Sequence, residues 1–123
     1  MIVLDHTTIP ALPHHPALLD LVVDVPADGD TVVIPMLCWH AATTPPAVSD
    51  LGGFAFVEYA PYDLTARAHI EQLPIAWQAG HAAHVILAAG PRPHDRADSV
   101  VITTQPQLYS RIPDITAIDL ATL

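Results

Sequence analysis

Met1-Ile-Val-Leu-Asp5 opens the chain as a short, continuously apolar run closed by a carboxylate. The same form recurs downstream. Thr31-Val-Val-Ile34 follows the turn Asp28-Gly-Asp30, and Phe54-Ala-Phe-Val-Glu-Tyr59 follows Gly52-Gly53. Ser99-Val-Val-Ile-Thr-Thr-Gln-Pro-Gln-Leu-Tyr109 holds a fourth run at 100–102, and Ile115-Thr-Ala-Ile118 is a fifth. Runs that are apolar at successive positions, not alternate ones, belong to strands covered on both faces, which is the habit of parallel sheets.

Helical segments lie between these runs. Ala17-Leu-Leu-Asp-Leu-Val-Val23 has Pro16 in its first turn, where a missing N–H costs nothing. A short helix over 36–42 stops before Thr43-Thr44-Pro45-Pro46. A third runs from Asp63, its cap, to Gln72, with Leu64, Ala68 and Ile70 facing inward. A fourth covers 75–89 and ends at Gly90-Pro91. The expected fold is α/β: a single three-layer domain over 1–123, with a mostly parallel central sheet of about five strands and helices on both faces. In such sheets sites form beyond the carboxyl ends of the strands, where Asp5, Pro35 and Thr104-Gln105 fall.

Composition narrows the function. At 123 residues and 51% apolar, the chain can bury a core. No apolar run approaches the ~20 residues that span a bilayer. The stretch Ala79 to Gly90 is too short and contains His81 and His84. The lone cysteine, Cys38, and the lack of a basic, then apolar, leader lead us to expect a cytoplasmic protein without a membrane partner. Four arginines, no lysine and 13 acids give a net charge of -9, which opposes unassisted binding to a polyanion. A GC-rich genome is a sufficient cause for the missing lysines, but not a reason to discount the acidity.

Three segments together resemble the PIN domain family, whose best-known members are the bacterial VapC-type ribonuclease toxins of toxin–antitoxin pairs. They are Ile-Val-Leu-Asp5, the step Val-Val-Ile-Pro35-Met-Leu-Cys-Trp-His-Ala41, and Val-Val-Ile-Thr-Thr-Gln-Pro-Gln-Leu-Tyr109 with Pro113-Asp-Ile-Thr-Ala-Ile-Asp-Leu120. Gly80-His-Ala-Ala-His-Val-Ile-Leu-Ala-Ala89 looks like the family's late Ala-rich helix. The resemblance implies a nuclease centre in which about four carboxylates hold Mg²⁺ or Mn²⁺, polarise the phosphate and generate hydroxide. Carried over position by position, only the first acid is kept, as Asp5. The second falls on His40, the third within Ala76 to Gly80, and the fourth on Gln105. Shifting the match cannot restore them, because no acid occurs between Asp30 and Asp50, Glu71 and Asp95, or Asp98 and Asp114.

Each candidate also has a plainer role. Asp5 can cap the turn His6-Thr7-Thr8 through its own backbone N–H groups, which requires no second acid. Asp5, His6, His40, His81 and His84 could meet at the sheet's mouth; of these Asp5, His40 and His81 are the candidate ligands for a transition metal such as Zn²⁺. Yet no H-x-x-x-H or H-E-x-x-H spacing occurs. Cys38, between Leu37 and Trp39, fits a buried inert thiol, and Trp39 and Trp77 fit core or interface anchors.

The sequence therefore leads us to expect a PIN-like domain with a degenerate centre and no resident cofactor, working as a binding or regulatory module. Its partner would be a protein: a second copy, since PIN-like domains commonly dimerise, or a basic DNA-binding, antitoxin-like component. One alternative is a working Mg²⁺- or Mn²⁺-dependent ribonuclease acting on RNA through Asp5, with Glu58, Asp63 or Asp98 recruited. Another is the remodelled histidine site.

Overall fold

The computed structural model describes residues 1–42, 57–74, 80–90 and 92–123. Five strands form one sheet: β1 (Ile2–Leu4), β2 (Val32–Pro35), β3 (Val57–Ala60), β4 (Val100–Thr103) and β5 (Thr116–Asp119). Every pairing is parallel, and the order across the sheet is β3-β2-β1-β4-β5. The chain thus steps outward from β1 to β3, then returns to β1's other side for β4 and β5. Ile2 pairs with Val32 on one flank and Val100 on the other. Central placement explains why β1 has no polar alternation: Val3 and Leu4 have no exposed surface.

The helices are α1 (Pro16–Ala27), α2 (Met36–Ala41), α3 (Leu64–Glu71), α4 (Gly80–Ala89) and α5 (Pro93–Arg96). α1 begins where Pro16 predicts, and the His15 ring caps it, with Nδ1 accepting the Leu18 N–H at 3.2 Å. It runs four residues past Val23 and takes in Pro26 in its last turn before it stops at Ala27. Gly29, at φ 86°, then turns the chain into β2. Leu18 and Val22 of α1, with Val85 and Ile86 of α4, join Val3, Leu4, Ile34, Val101 and Ile102 in the core. Each such side chain contributes about 1.5–3 kcal/mol by leaving water.

One expected face is corrected. Ile70 of α3 is buried as expected, but Leu64 and Ala68 point to solvent, and Ala66 and then Leu73 join Ile70 instead. Ala66, Ile70 and Leu73 make the single stripe, at i, i+4 and i+7, that one helix face can bury. The early part of the expected third strand (54–56), the first turn of the expected late helix (75–79) and Trp77 lie outside the described residues. Among the described residues no helix is long and apolar enough to cross a membrane.

Candidate functional site at the switch point

The strand order reverses between β1 and β4, so the crevice beyond their carboxyl ends is where an open α/β sheet places its ligand. Asp5 stands there, 0% exposed. Its Oδ1 accepts the Thr7 N–H at 2.9 Å and the Thr7 hydroxyl at 2.6 Å. This is the local capping turn expected from Asp-His-Thr-Thr. Its Oδ2 accepts the Tyr109 phenol at 2.9 Å, from the 3-10 turn Pro106–Tyr109 that follows β4.

The threonines extend this network. Thr7 Oγ1 accepts the Thr104 N–H at 2.8 Å and lies 3.2 Å from Thr103 Oγ1. Since its own proton goes to Asp5, the Thr103 hydroxyl donates to Thr7 and accepts the Gln105 N–H at 3.0 Å. The Thr8 hydroxyl has one proton for two acceptors, Ile102 O at 2.8 Å and Asp5 Oδ1 at 3.3 Å. The shorter bond takes it and ties the turn to β4.

Tyr109 is buried, and burial together with the Asp5 charge raises its phenol well above the usual range. It therefore stays a donor at any physiological pH. Both carboxylate oxygens thus already accept hydrogen bonds from the protein, one from Thr7 and the other from the Tyr109 phenol. An Mg²⁺ ion dehydrates reluctantly and needs several negative oxygens to do so. Asp5 alone, with its oxygens already bonded, does not fit one.

His40 and Gln105 do not converge on Asp5. His40 is exposed in the last turn of α2, and Gln105 is exposed beyond β4, engaged through its backbone N–H. Among the described residues no three His, Cys, Asp or Glu side chains form a group able to hold a metal, so Asp5, His40 and His81 do not make one. The recruited acids are also dispersed. Glu58 is exposed on the edge strand β3, and Asp63 Oδ1 caps α3 by accepting the Ala66 N–H at 2.8 Å. Asp98 precedes β4, and its carbonyl accepts from the Met1 amino group at the opposite end of the sheet from Asp5. The stretch carrying the third expected acid falls mostly at 75–79, outside the described residues.

Two histidines do meet. The rings of His6 and His81 lie 3.7 Å apart between centroids, tilted by 49°. His6 Nδ1 is buried without a hydrogen-bond partner, 4.0 Å from Asp5 Oδ2. Burial and the neighbouring His81 lower the His6 pKa, and Asp5 offsets this in part. Cys38 is buried beneath, with its thiol donating to the His81 carbonyl at 3.5 Å. Burial and the Asp5 charge push that thiol up to about 12, so it is inert. His84 is buried too; its Nδ1 accepts the Leu37 N–H at 3.2 Å, and burial lowers its pKa.

Lowered histidine pKa values have a signed consequence. The unfolded chain takes up protons near the ordinary value of 6.5, before the folded protein does. The stability held by neutral His6 and His84 is therefore complete above that value and lost as pH falls through the lowered ones. Thermal denaturation is expected to show Tm falling between about pH 7 and about pH 5, with a shallower fall in His84→Asn, whose amide oxygen can stand in for Nδ1. A Tm that rises on acidification through this window contradicts the assignment.

Sequence reasoning identified the Asp5 turn but missed Tyr109 and the Thr7–Thr103 contact. A lone buried carboxylate signals that donors must come from somewhere, yet nothing in the pattern says from where. A separate cleft of about 410 Å³ is lined by His69, Gln72, Leu73 and Arg92, away from Asp5. It sits at the carboxyl end of α3, and Arg92 is paired there with Asp95 at 3.0 Å, so neither feature favours an anionic ligand. Comparison of the chain with protein-family models, with curated proteins and with solved structures finds no match.

Proposed function

We propose that the chain is a PIN-like domain that has kept Asp5 and given up the other carboxylates, and that it works by binding a protein instead of cutting a phosphodiester. The observation that supports this is the state of Asp5: fully buried, with Tyr109 on one oxygen and Thr7 on the other. A carboxylate held in this way anchors the loops after β1 and β4 to each other. The crevice is thereby a rigid joint, and the surface around it is free to serve recognition.

Charge indicates the kind of partner. At -9, with no lysine, the domain repels nucleic acid and attracts a basic surface. A basic DNA-binding or antitoxin-like protein meets that condition. A second copy brings the same negative charge and meets it less well.

Purified protein incubated with single-stranded RNA and millimolar Mg²⁺ or Mn²⁺ is expected to cleave no faster than Asp5→Asn, and neither ion is expected to raise Tm. Metal-dependent cleavage by the wild type that vanishes in a folded Asp5→Asn variant would overturn this proposal in favour of a ribonuclease.

A further inference from the structure

The exposed large apolar side chains are not evenly spread. Among the described residues, Tyr59, at 40% exposed, lies one residue from the end of β3; Tyr62, at 45%, follows the strand; and Leu64, at 83%, begins α3. Scattered apolar residues are normal on a surface, but three within six positions, at the carboxyl end of an edge strand, form a patch. Two of the three are mounted rigidly. Trp39 of α2 meets Tyr59 edge-on, with centroids 6.0 Å apart and planes at 86°. Buried His84 meets Tyr62 at 5.7 Å and 64°, and also receives the Leu37 N–H of α2. Both tyrosines are thus held by ring contacts, and the His84 of α4 that holds Tyr62 is itself bonded to α2, the helix that carries Trp39. Ordered tyrosine and tryptophan anchors lose little entropy on binding and are the residues in which interface energy concentrates.

The rim of the patch defines the ligand. Asp63, exposed between Tyr62 and Leu64, sets a carboxylate among these side chains in a domain of net charge -9, while Glu58 lies on the opposite face of β3 from Tyr59. The only arginine on this stretch, Arg67, is tied to Glu71 at 3.2 Å. An apolar centre with an acidic border suits a segment that is apolar on one face and cationic on the other. A nucleic-acid strand could stack on the rings, but its phosphates would face Asp63 and a domain of net charge -9. A second copy of the chain would bring the same acids to its own patch.

We infer that Trp39, Tyr59, Tyr62 and Leu64 form a docking surface for a basic, amphipathic segment of a partner protein. The inference rests on the binding-module proposal and locates its contact face.

A fluorescein-labelled peptide of alternating leucine and arginine serves as the probe, with a leucine–glutamate peptide and oligouridylate as comparators, read by fluorescence anisotropy. The leucine–arginine peptide is expected to bind best. Tyr62→Ser and Leu64→Ser, which leave the net charge unchanged, are each expected to weaken it about tenfold. Val23→Ser, at an equally open apolar residue of α1 (51% exposed), is expected to leave it within about twofold. Matching Tm values for these surface variants keep folding out of the comparison. Equal binding by all variants reduces the effect to bulk charge and overturns the inference, as does tighter binding of oligouridylate or of the glutamate peptide. A dimer in sedimentation that Leu64→Ser dissociates while peptide affinity stays unchanged overturns it as well, in favour of self-association. RNA cleavage by the wild type is read in a different assay, so the loss of the binding-module proposal is not confused with the loss of this surface.

Discussion

Asp5→Ala is expected to lower stability by about 3–5 kcal/mol, a large share of the ~5–15 kcal/mol that holds a domain of this size. The substitution removes the acceptor of the Thr7 N–H, the Thr7 hydroxyl and the Tyr109 phenol together. Tyr109 is buried, so its O–H cannot turn to bulk water and is left unsatisfied. Because Thr7 also bridges to Thr103 and Thr104, the loop after β1 loosens from the loop after β4. Urea denaturation measures the loss directly. Tyr109→Phe removes a single donor to a charged acceptor and is expected to cost about 1.5–3 kcal/mol. The double variant is expected to fall short of the sum of the two, because the same bond is lost in both. A folded Asp5→Ala that is as stable as the wild type would overturn the reading of Asp5 as a structural joint.

Gly90→Ala is expected to be comparably severe, at about 3–5 kcal/mol, for a steric reason. Gly90 has φ 147°, a conformation that L-residues rarely adopt. A Cβ there would lie 2.7 Å from the Asp95 carbonyl carbon, 2.8 Å from Asp95 Cβ and 2.9 Å from the Arg96 nitrogen. Two of these are backbone atoms and cannot swing aside, so α5 must shift as a unit. Arg96 shifts with it. Its buried guanidinium donates from Nε to the Gly90 carbonyl at 2.8 Å and from Nη1 to the Pro113 carbonyl at 3.3 Å. Separating a buried cation from its acceptors adds to the strain. Gly29→Ala is the control: φ is 86°, but nothing lies within 4 Å of the added carbon. Left-handed strain alone is expected to cost it about 1–2 kcal/mol. If urea midpoints place the two variants within about 1 kcal/mol of each other, the close packing at Gly90 is not limiting.

Features set by neighbours along the chain are legible in the order of residues. Ile2-Val-Leu4, Val32-Val-Ile34 and Val100-Val-Ile102 read as parallel strands because burial on both faces leaves no room for polar alternation. Pro16 and Asp63 mark helix starts, and Asp5 reads as the cap of its own turn, because each acts within four residues. The absence of acids at His40 and Gln105 is equally plain in the sequence, since it involves no geometry.

Features that depend on contacts between distant segments are not legible there. α3 offers two sets at helical spacing, Leu64 with Ala68 and Ala66 with Ile70. Periodicity cannot choose between them, because the choice belongs to whichever face α4 and the sheet leave open. The pairing of β1 with β4 sets the switch point, and sheet order is a long-range outcome that apolar runs do not encode. That pairing brings a phenol from position 109 onto a carboxylate at position 5, and the packing of α4 against β1 lays the His6 ring on His81. A buried charge demands partners by its solvation cost, but packing between distant segments selects which side chains answer.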